Sequence, residues 1–259
     1  MSRWHRTATG HKGGDFPMYV EPSGQDGEAE AGHDPSPCAS CAVRADAFCG
    51  SLAAPALGEL HRLGRKVRLK RGQALIWQGA ESTLVGNVLE GVLKMSAMSR
   101  DGREQIVGLA YPADFIGRPF GKNSRQTITA LSDAHLCVFS RAAFDSFATG
   151  HAGMGEALLR RALDDLDGAR RWMLLLGRTS AMERVATLLL DAAERLEGAA
   201  GKTFALPFSR QQMADILGMA IETVSRTMTR LRDGGVIALP GGRQIAVRDR
   251  NALREAAGG

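Results

Sequence analysis

The run from Ser209 to Leu231, SRQQMADILGMAIETVSRTMTRL, constrains this chain more than any other segment. Ala214 is small where two helices would cross closely, and Gly218 follows four residues later, where a tight turn needs it. Val224, six residues further on, supplies the apolar anchor of a second helix. Ser209 and Gln212 have the spacing of a capping box, which starts the first helix, and Gly234-Gly235 ends the second. Val236–Leu239 and Gln244–Val247 then flank Pro240-Gly241-Gly242-Arg243 as a hairpin. Two short helices followed by a hairpin predict a winged helix-turn-helix. On its second helix Glu222, Arg226 and Arg230 share a face, with Ser225 beside them. Arginine can donate two hydrogen bonds to guanine, glutamate can accept from cytosine, and serine can serve either. On an ordinary surface helix the Glu222/Arg226 pair would read as solvated charges. Inside this motif these residues, together with Ser209 at the first helix start, are candidates for DNA contact.

Four cysteines make the second feature. Cys38, Cys41 and Cys49 read C-x2-C-x7-C, and Cys137 lies far away in sequence. Three thiolates can converge from one loop, with a fourth supplied by the body of the fold. Such a set suits a soft centre, either tetrahedral zinc or an iron–sulfur cluster, and spacing alone leaves both open. The N-terminus has no apolar stretch of signal-peptide length and no apolar run approaches bilayer length, so a cytoplasmic protein without membrane contact is expected. In a reducing compartment clustered cysteines point to metal or redox chemistry rather than structural disulfides. The six histidines show no metal spacing with one another, and His135, which would share a strand face with Cys137, reads as a packed or surface residue. No catalytic constellation stands out, and no enzyme is expected.

The remaining chain divides by pattern. Residues 1–36 are rich in Gly, Pro, Ser and acid and read as a disordered tail. Residues 1–37 hold three basic against six acidic side chains, so the rest carries about +8 of a formal total of +5, a balance that permits nucleic-acid binding. Between Leu57 and Phe147 short apolar runs alternate with turn signals, among them Asp101-Gly102 between Leu93–Met98 and Gln105–Leu109. That rhythm predicts an antiparallel roll or sandwich, with a mainly aliphatic core since only 5% of residues are aromatic. From Met154 to Leu176 a helix is predicted. Along it Leu159, Ala162, Leu166, Ala169, Met173 and Leu176 recur at steps of three and four, the seam of a two-helix dimer; packing of this helix on its own domain is the competing reading. The expected architecture is α+β: residues 37–150 form a cysteine segment and β-roll, 151–178 a dimerisation helix, and 179–259 a winged helix-turn-helix.

These residues together resemble the Crp/Fnr superfamily, and within it the FNR-type regulators. Glu222-Thr-Val-Ser225-Arg226 looks like the family's E-x-x-S-R recognition signature, and the x7 gap before Cys49 is similar to that of the FnrL/FnrN/FixK-like branch. The resemblance implies a cyclic-nucleotide-binding-like roll and an oxygen-labile [4Fe–4S] cluster on Cys38, Cys41, Cys49 and Cys137. It also implies a homodimer on double-stranded DNA carrying a TTGAT-type inverted repeat, with RNA polymerase as a further partner. Two departures stand out. Phe48, before the third cysteine, could limit oxygen access or simply pack, and Ala169 falls where the family can carry an acid that opposes dimerisation. The stretch Phe115–Gln126 lacks the Gly-Glu…Arg-Ser cassette of the cyclic-nucleotide branch, so loss of cyclic AMP binding is expected, with Lys122 and Arg125 read as solvated charges in preference to a weak phosphate site. An effector-dependent regulator without a cluster and a zinc-stabilised DNA-binding protein are the alternatives.

Overall fold

The computed structural model describes residues 38, 40–99, 102, 104–196 and 203–259. The expected tail over 1–36 lies outside them, as does Asp101 of the expected turn. A 3-10 turn, Phe48–Ser51, and helix α1, Ala54–Leu63, lead into eight strands. These form two four-stranded antiparallel sheets, the roll anticipated from the apolar rhythm. One sheet has the order β1 (Gly64–Leu69), β8 (Ala134–Ser140), β3 (Leu84–Glu90), β6 (Phe115–Gly117). The other is β2 (Ala74–Ile76), β7 (Thr127–Ala130), β4 (Leu93–Met98), β5 (Glu104–Ala110). Their facing sides bury an aliphatic core that includes Val88, Leu93, Ile116, Leu136 and Val138.

Side chains alternate along β8, so Leu136 and Val138 point into the roll while His135, Cys137 and Phe139 point outward. The outer face is not bare. Phe48 packs there in edge contacts with Phe115 and Phe144 at ring separations of 5.2 and 5.5 Å, and against Phe139. Such pairs contribute roughly 0.5–1.5 kcal/mol each beyond their buried area. This cluster also takes in Met154 and Leu158 from the long helix. Phe48 is therefore the anchor that fastens the cysteine segment to both the roll and the helix that follows.

Helix α2 spans Arg141–Gly150 and α3 runs Ala152–Arg178, slightly longer than the pattern suggested. The helix carries two apolar stripes, one packed on its own chain and one exposed. Met154, Leu158, Trp172 and Leu175 pack inward. The seam residues follow them by one position, a rotation of about 100° around the helix, and turn away from the chain. Leu159, Leu166 and Met173 are 60%, 43% and 65% exposed. Ala162 and Ala169 are exposed as well, Leu176 is half-buried, and Leu163 and Leu174 widen the stripe beyond the predicted seam.

The C-terminal module begins with α4, Ala181–Leu196, whose Val185, Leu188, Leu189 and Ala192 are buried. It continues with β9 (Thr203–Ala205), α5 (Arg210–Leu217), α6 (Ile221–Asp233), the hairpin β10 (Ile237–Gly241) and β11 (Gln244–Val247), and α7 (Arg250–Ala256). β9 adds a third strand beside β11, and neither it nor α7 has a periodic signal long enough to be seen in sequence. The glycine pair ends α6 as expected: the cap Gly234 has φ −75°, and Gly235 after it takes the positive φ of 73°. The core of this module extends onto the roll, where Val92, Ile106, Tyr111 and Leu131 join it. Among the described residues no helix is long and apolar enough to cross a membrane.

Candidate functional site

The four cysteines come together against the outer face of the β1–β8–β3–β6 sheet. Cys137 sits mid-strand, opposite Lys66 on β1 and Asn87 on β3. Gly64 leaves the space beside it: a Cβ there would meet the Phe139 ring at 2.8 Å and the Cys137 Sγ at 3.4 Å. Cys49 lies in the 3-10 turn that Phe48 pins to this face. All four thiols are half-buried and unpaired by disulfides.

Burial first, and then the neighbouring thiols, raise the proton affinity of Cys38, Cys49 and Cys137. Cys49 is pushed up to about 11 by burial and by Cys41 and Cys38. Cys137 is pushed up to about 12 by burial and by Cys38, Cys49 and Cys41. Cys38 is raised by burial and by Cys41, against the opposing pull of Arg44 and Lys66. The thiols are thus near enough to repel as thiolates, yet among the described residues no three His, Cys, Asp or Glu side chains stand close enough to hold a metal ion. The two findings concern different ranges, since charge repulsion acts well beyond a ligand bond. Ligation needs the thiols to draw closer than they stand here, and a bound cation would reverse the repulsion that keeps them protonated.

The donor set fits a soft centre, and two further groups face it that the sequence did not single out. His61 of α1 has Nδ1 3.4 Å from Cys38 Sγ. Asn87 is 3% exposed; its Nδ2 donates to Cys49 Sγ at 3.9 Å while its Oδ1 has no partner. His135 turns elsewhere, with Nδ1 2.8 Å from Glu90, in keeping with its reading as a surface residue.

The second site is the reader. Ser209 caps α5: its hydroxyl accepts from the Gln212 N–H, and the Gln212 side chain returns a bond to the Ser209 N–H. Gly218 ends that helix in the left-handed region, φ 61° and ψ 43°, where a β-carbon would be strained. Ala214 and Val224 are buried at the helix crossing as anticipated. Burying Val224, Thr227, Met228 and Leu231 on one side of α6 leaves the opposite face to solvent. Ser225, Arg226, Glu222 and Arg230 lie there exposed. The acid in the first turn and the bases in the last also suit the helix dipole.

Residues 66–151 match the cyclic nucleotide-binding domain model, and residues 183–256 match the Crp-like helix-turn-helix domain model. The transcriptional activator protein FnrL of Cereibacter sphaeroides is 40% identical over 227 residues, covering 85% of this chain and 92% of that protein. This chain belongs to the Crp/Fnr family of transcription regulators. A probable transcriptional activator of Rhizobium leguminosarum bv. viciae is 42% identical over 221 residues, with 85% and 92% covered. Among solved structures, FixK2 from Bradyrhizobium japonicum superposes with a TM-score of 0.70 at 31% identity, covering 74% of this chain and 96% of that one. Like other Crp/Fnr regulators, the protein binds DNA through its helix-turn-helix and is a transcription factor rather than an enzyme. In this Crp/Fnr chain the region corresponding to the cyclic-nucleotide cassette forms an open cavity of about 590 Å³ lined by Gln78, Arg118, Phe120, Lys122 and Arg125.

Proposed function

We propose that this regulator senses oxygen through a [4Fe–4S] cluster held by Cys38, Cys41, Cys49 and Cys137, and that the cluster-bearing protein dimerises and binds a TTGAT-type inverted repeat. The observation that carries the reading is the gathering of four thiols, from two distant parts of the chain, on the sheet face where the 3-10 turn meets α3. When bound, the cluster would supply an oxygen-labile link between the Cys38–Cys49 segment and β8. The chain's own residues pass that link onward. Phe48 precedes Cys49 and packs with Met154 and Leu158 of α3, and Leu158 adjoins Leu159, the first residue of the exposed stripe. Tightening the segment therefore bears on the helix that presents the dimer seam. Lys66 and Arg44 offset negative charge gathered at the thiolates. Because burial and crowding keep Cys49 and Cys137 protonated at neutral pH, loading releases protons and strengthens as pH rises.

Dimerisation matters because one winged module makes too few contacts for tight specific binding. Two recognition helices about 34 Å apart, one turn of DNA, double both base and phosphate contacts. Contact with RNA polymerase belongs to the same reading, as do transcription control and residence in the cytoplasm. The absorbance spectrum of anaerobically purified protein tests the cofactor: broad visible absorption that bleaches in air is expected, whereas a colourless protein containing zinc would replace this reading with a structural zinc site. For the reader, Arg226→Ala is expected to cost about 1–3 kcal/mol at the specific site and much less on random DNA. Equal losses on both, measured by fluorescence anisotropy at one salt concentration, would assign Arg226 to phosphate contact instead.

A further inference from the structure

Asp114 occupies the turn between β5 and β6 and is 14% exposed. Its carboxylate accepts from the Tyr111 N–H at 2.9 Å, from Arg161 Nη2 at 2.8 Å and from Arg195 Nη1 at 3.2 Å. Arg161 belongs to the long helix α3, and Arg195 to the last turn of α4 in the reader module. One carboxylate of the roll therefore holds the other two modules at once. The network extends on either side: Arg161 also pairs with Asp165 at 3.1 Å, and Arg195 with Asp191 at 3.3 Å. The result is an alternating chain, Asp165–Arg161–Asp114–Arg195–Asp191, in which each guanidinium sits between two carboxylates. The Arg195 guanidinium also lies over the Tyr111 ring, 5.1 Å from its centroid.

Around this node the contact between roll and reader is mostly apolar. Val92, Ile106, Tyr111 and Leu131 merge into the reader core, and Gln105 Nε2 donates to the Asp215 carbonyl at 3.0 Å. Apolar contact is non-directional and permits sliding or rotation. Charge-assisted bonds at 2.8–3.2 Å have narrow geometry and set an angle. The node is also placed to feel the seam, because Arg161 adjoins Ala162 and Asp165 adjoins Leu166 on α3. In the orientation it holds, the Glu222, Ser225, Arg226 and Arg230 face of α6 stays open.

We propose that Asp114 is a positioning residue that sets the angle of the DNA reader relative to the long helix, so that a dimer formed along α3 presents its two recognition helices at one fixed separation. This goes beyond the cluster reading and does not depend on which metal the cysteines hold.

Asp114→Asn tests it, because asparagine can still accept from the Tyr111 N–H while removing the charge shared by the two arginines. The full-length protein is titrated with a TTGAT inverted repeat and with the same repeat lengthened or shortened by one base pair. Wild type should discriminate strongly between these spacings. Asp114→Asn should lose about fivefold or more of that discrimination, the lower end of a typical coupling between sites, and Asp114→Glu should restore part of it. A variant that is merely less folded would bind all three probes in equal proportion less, and that result would overturn the proposal. Amide hydrogen exchange on the same samples needs no DNA: faster exchange in 191–196 and 210–217, with 84–90 and 134–140 unchanged, is expected. Unchanged exchange at the reader would equally overturn it. Failure of wild type to bind any inverted repeat would count against the proposed function, while the exchange result would still decide the role of Asp114.

Discussion

Cys137→Ala is expected to yield a colourless protein under anaerobic purification and to bring specific DNA affinity down toward the non-specific level, a loss of about 10³-fold or more. The effect is large because Cys137 is the one cysteine on the rigid part of the fold, paired on both sides by β1 and β3. Cys38, Cys41 and Cys49 all belong to the segment that Phe48 anchors, so removing Cys137 takes away the fixed end of the proposed link. The folded chain itself should lose only about 1 kcal/mol, the usual size of a single substitution, since the thiol is half-buried and makes no disulfide. Iron content, visible absorbance, DNA affinity and thermal midpoint are measured on one preparation. A colourless Cys137→Ala protein that still binds its site as wild type does would separate the cysteines from DNA control.

Leu166→Glu should abolish the dimer with little change in the monomer. Leu166 is 43% exposed in the single chain, and a glutamate there is ordinarily worth within about 0.5 kcal/mol to a monomer. Across a two-fold seam the same residue is buried twice, and an uncompensated buried charge costs about 3–5 kcal/mol. That lowers the dimerisation constant by more than about 100-fold. Sedimentation velocity of the cluster-loaded protein reads the dimer and calorimetry reads the fold. Persistence of the dimer would place the interface elsewhere than on this stripe; collapse of the thermal midpoint would mean that Leu166 serves its own chain. The position of Ala169 on the same exposed stripe, without a carboxylate to oppose association, is consistent with a strong seam.

The parts that sequence reading recovered are those decided by neighbours a few residues apart. The Ser209/Gln212 cap, the left-handed Gly218 and the buried Ala214 and Val224 all follow from spacing within one short motif. The β4–β5 hairpin and the long helix follow in the same way from strand alternation and heptad steps. On α3 the periodic stripe was legible, while its neighbour one position earlier was not, because Met154, Leu158, Trp172 and Leu175 are interrupted by Arg161, which reaches in to Asp114, and by Asp165, which stays exposed and pairs with Arg161.

What escaped was contact between residues far apart in the chain. Asn87 reads in sequence as a lone polar residue on one side of a strand, a solvent-facing position. It is buried because the cysteine segment covers the outer sheet face and brings Cys49 to its amide. His61 meets Cys38, and Asp114 meets Arg161 and Arg195, across separations of 23, 47 and 81 residues that carry no local signature.

By itself the sequence determined the kind of protein: a DNA reader with its recognition face, a helix with a seam, and four thiols suited to a soft centre, all set by residue type and short-range periodicity. The tertiary structure alone decided that the thiols share the face where the 3-10 turn touches α3, and that one carboxylate ties roll, helix and reader together. Those facts depend on which strand lies beside which and which face is covered, and pairing over long separations is settled by the burial of whole faces rather than by any local run of residues.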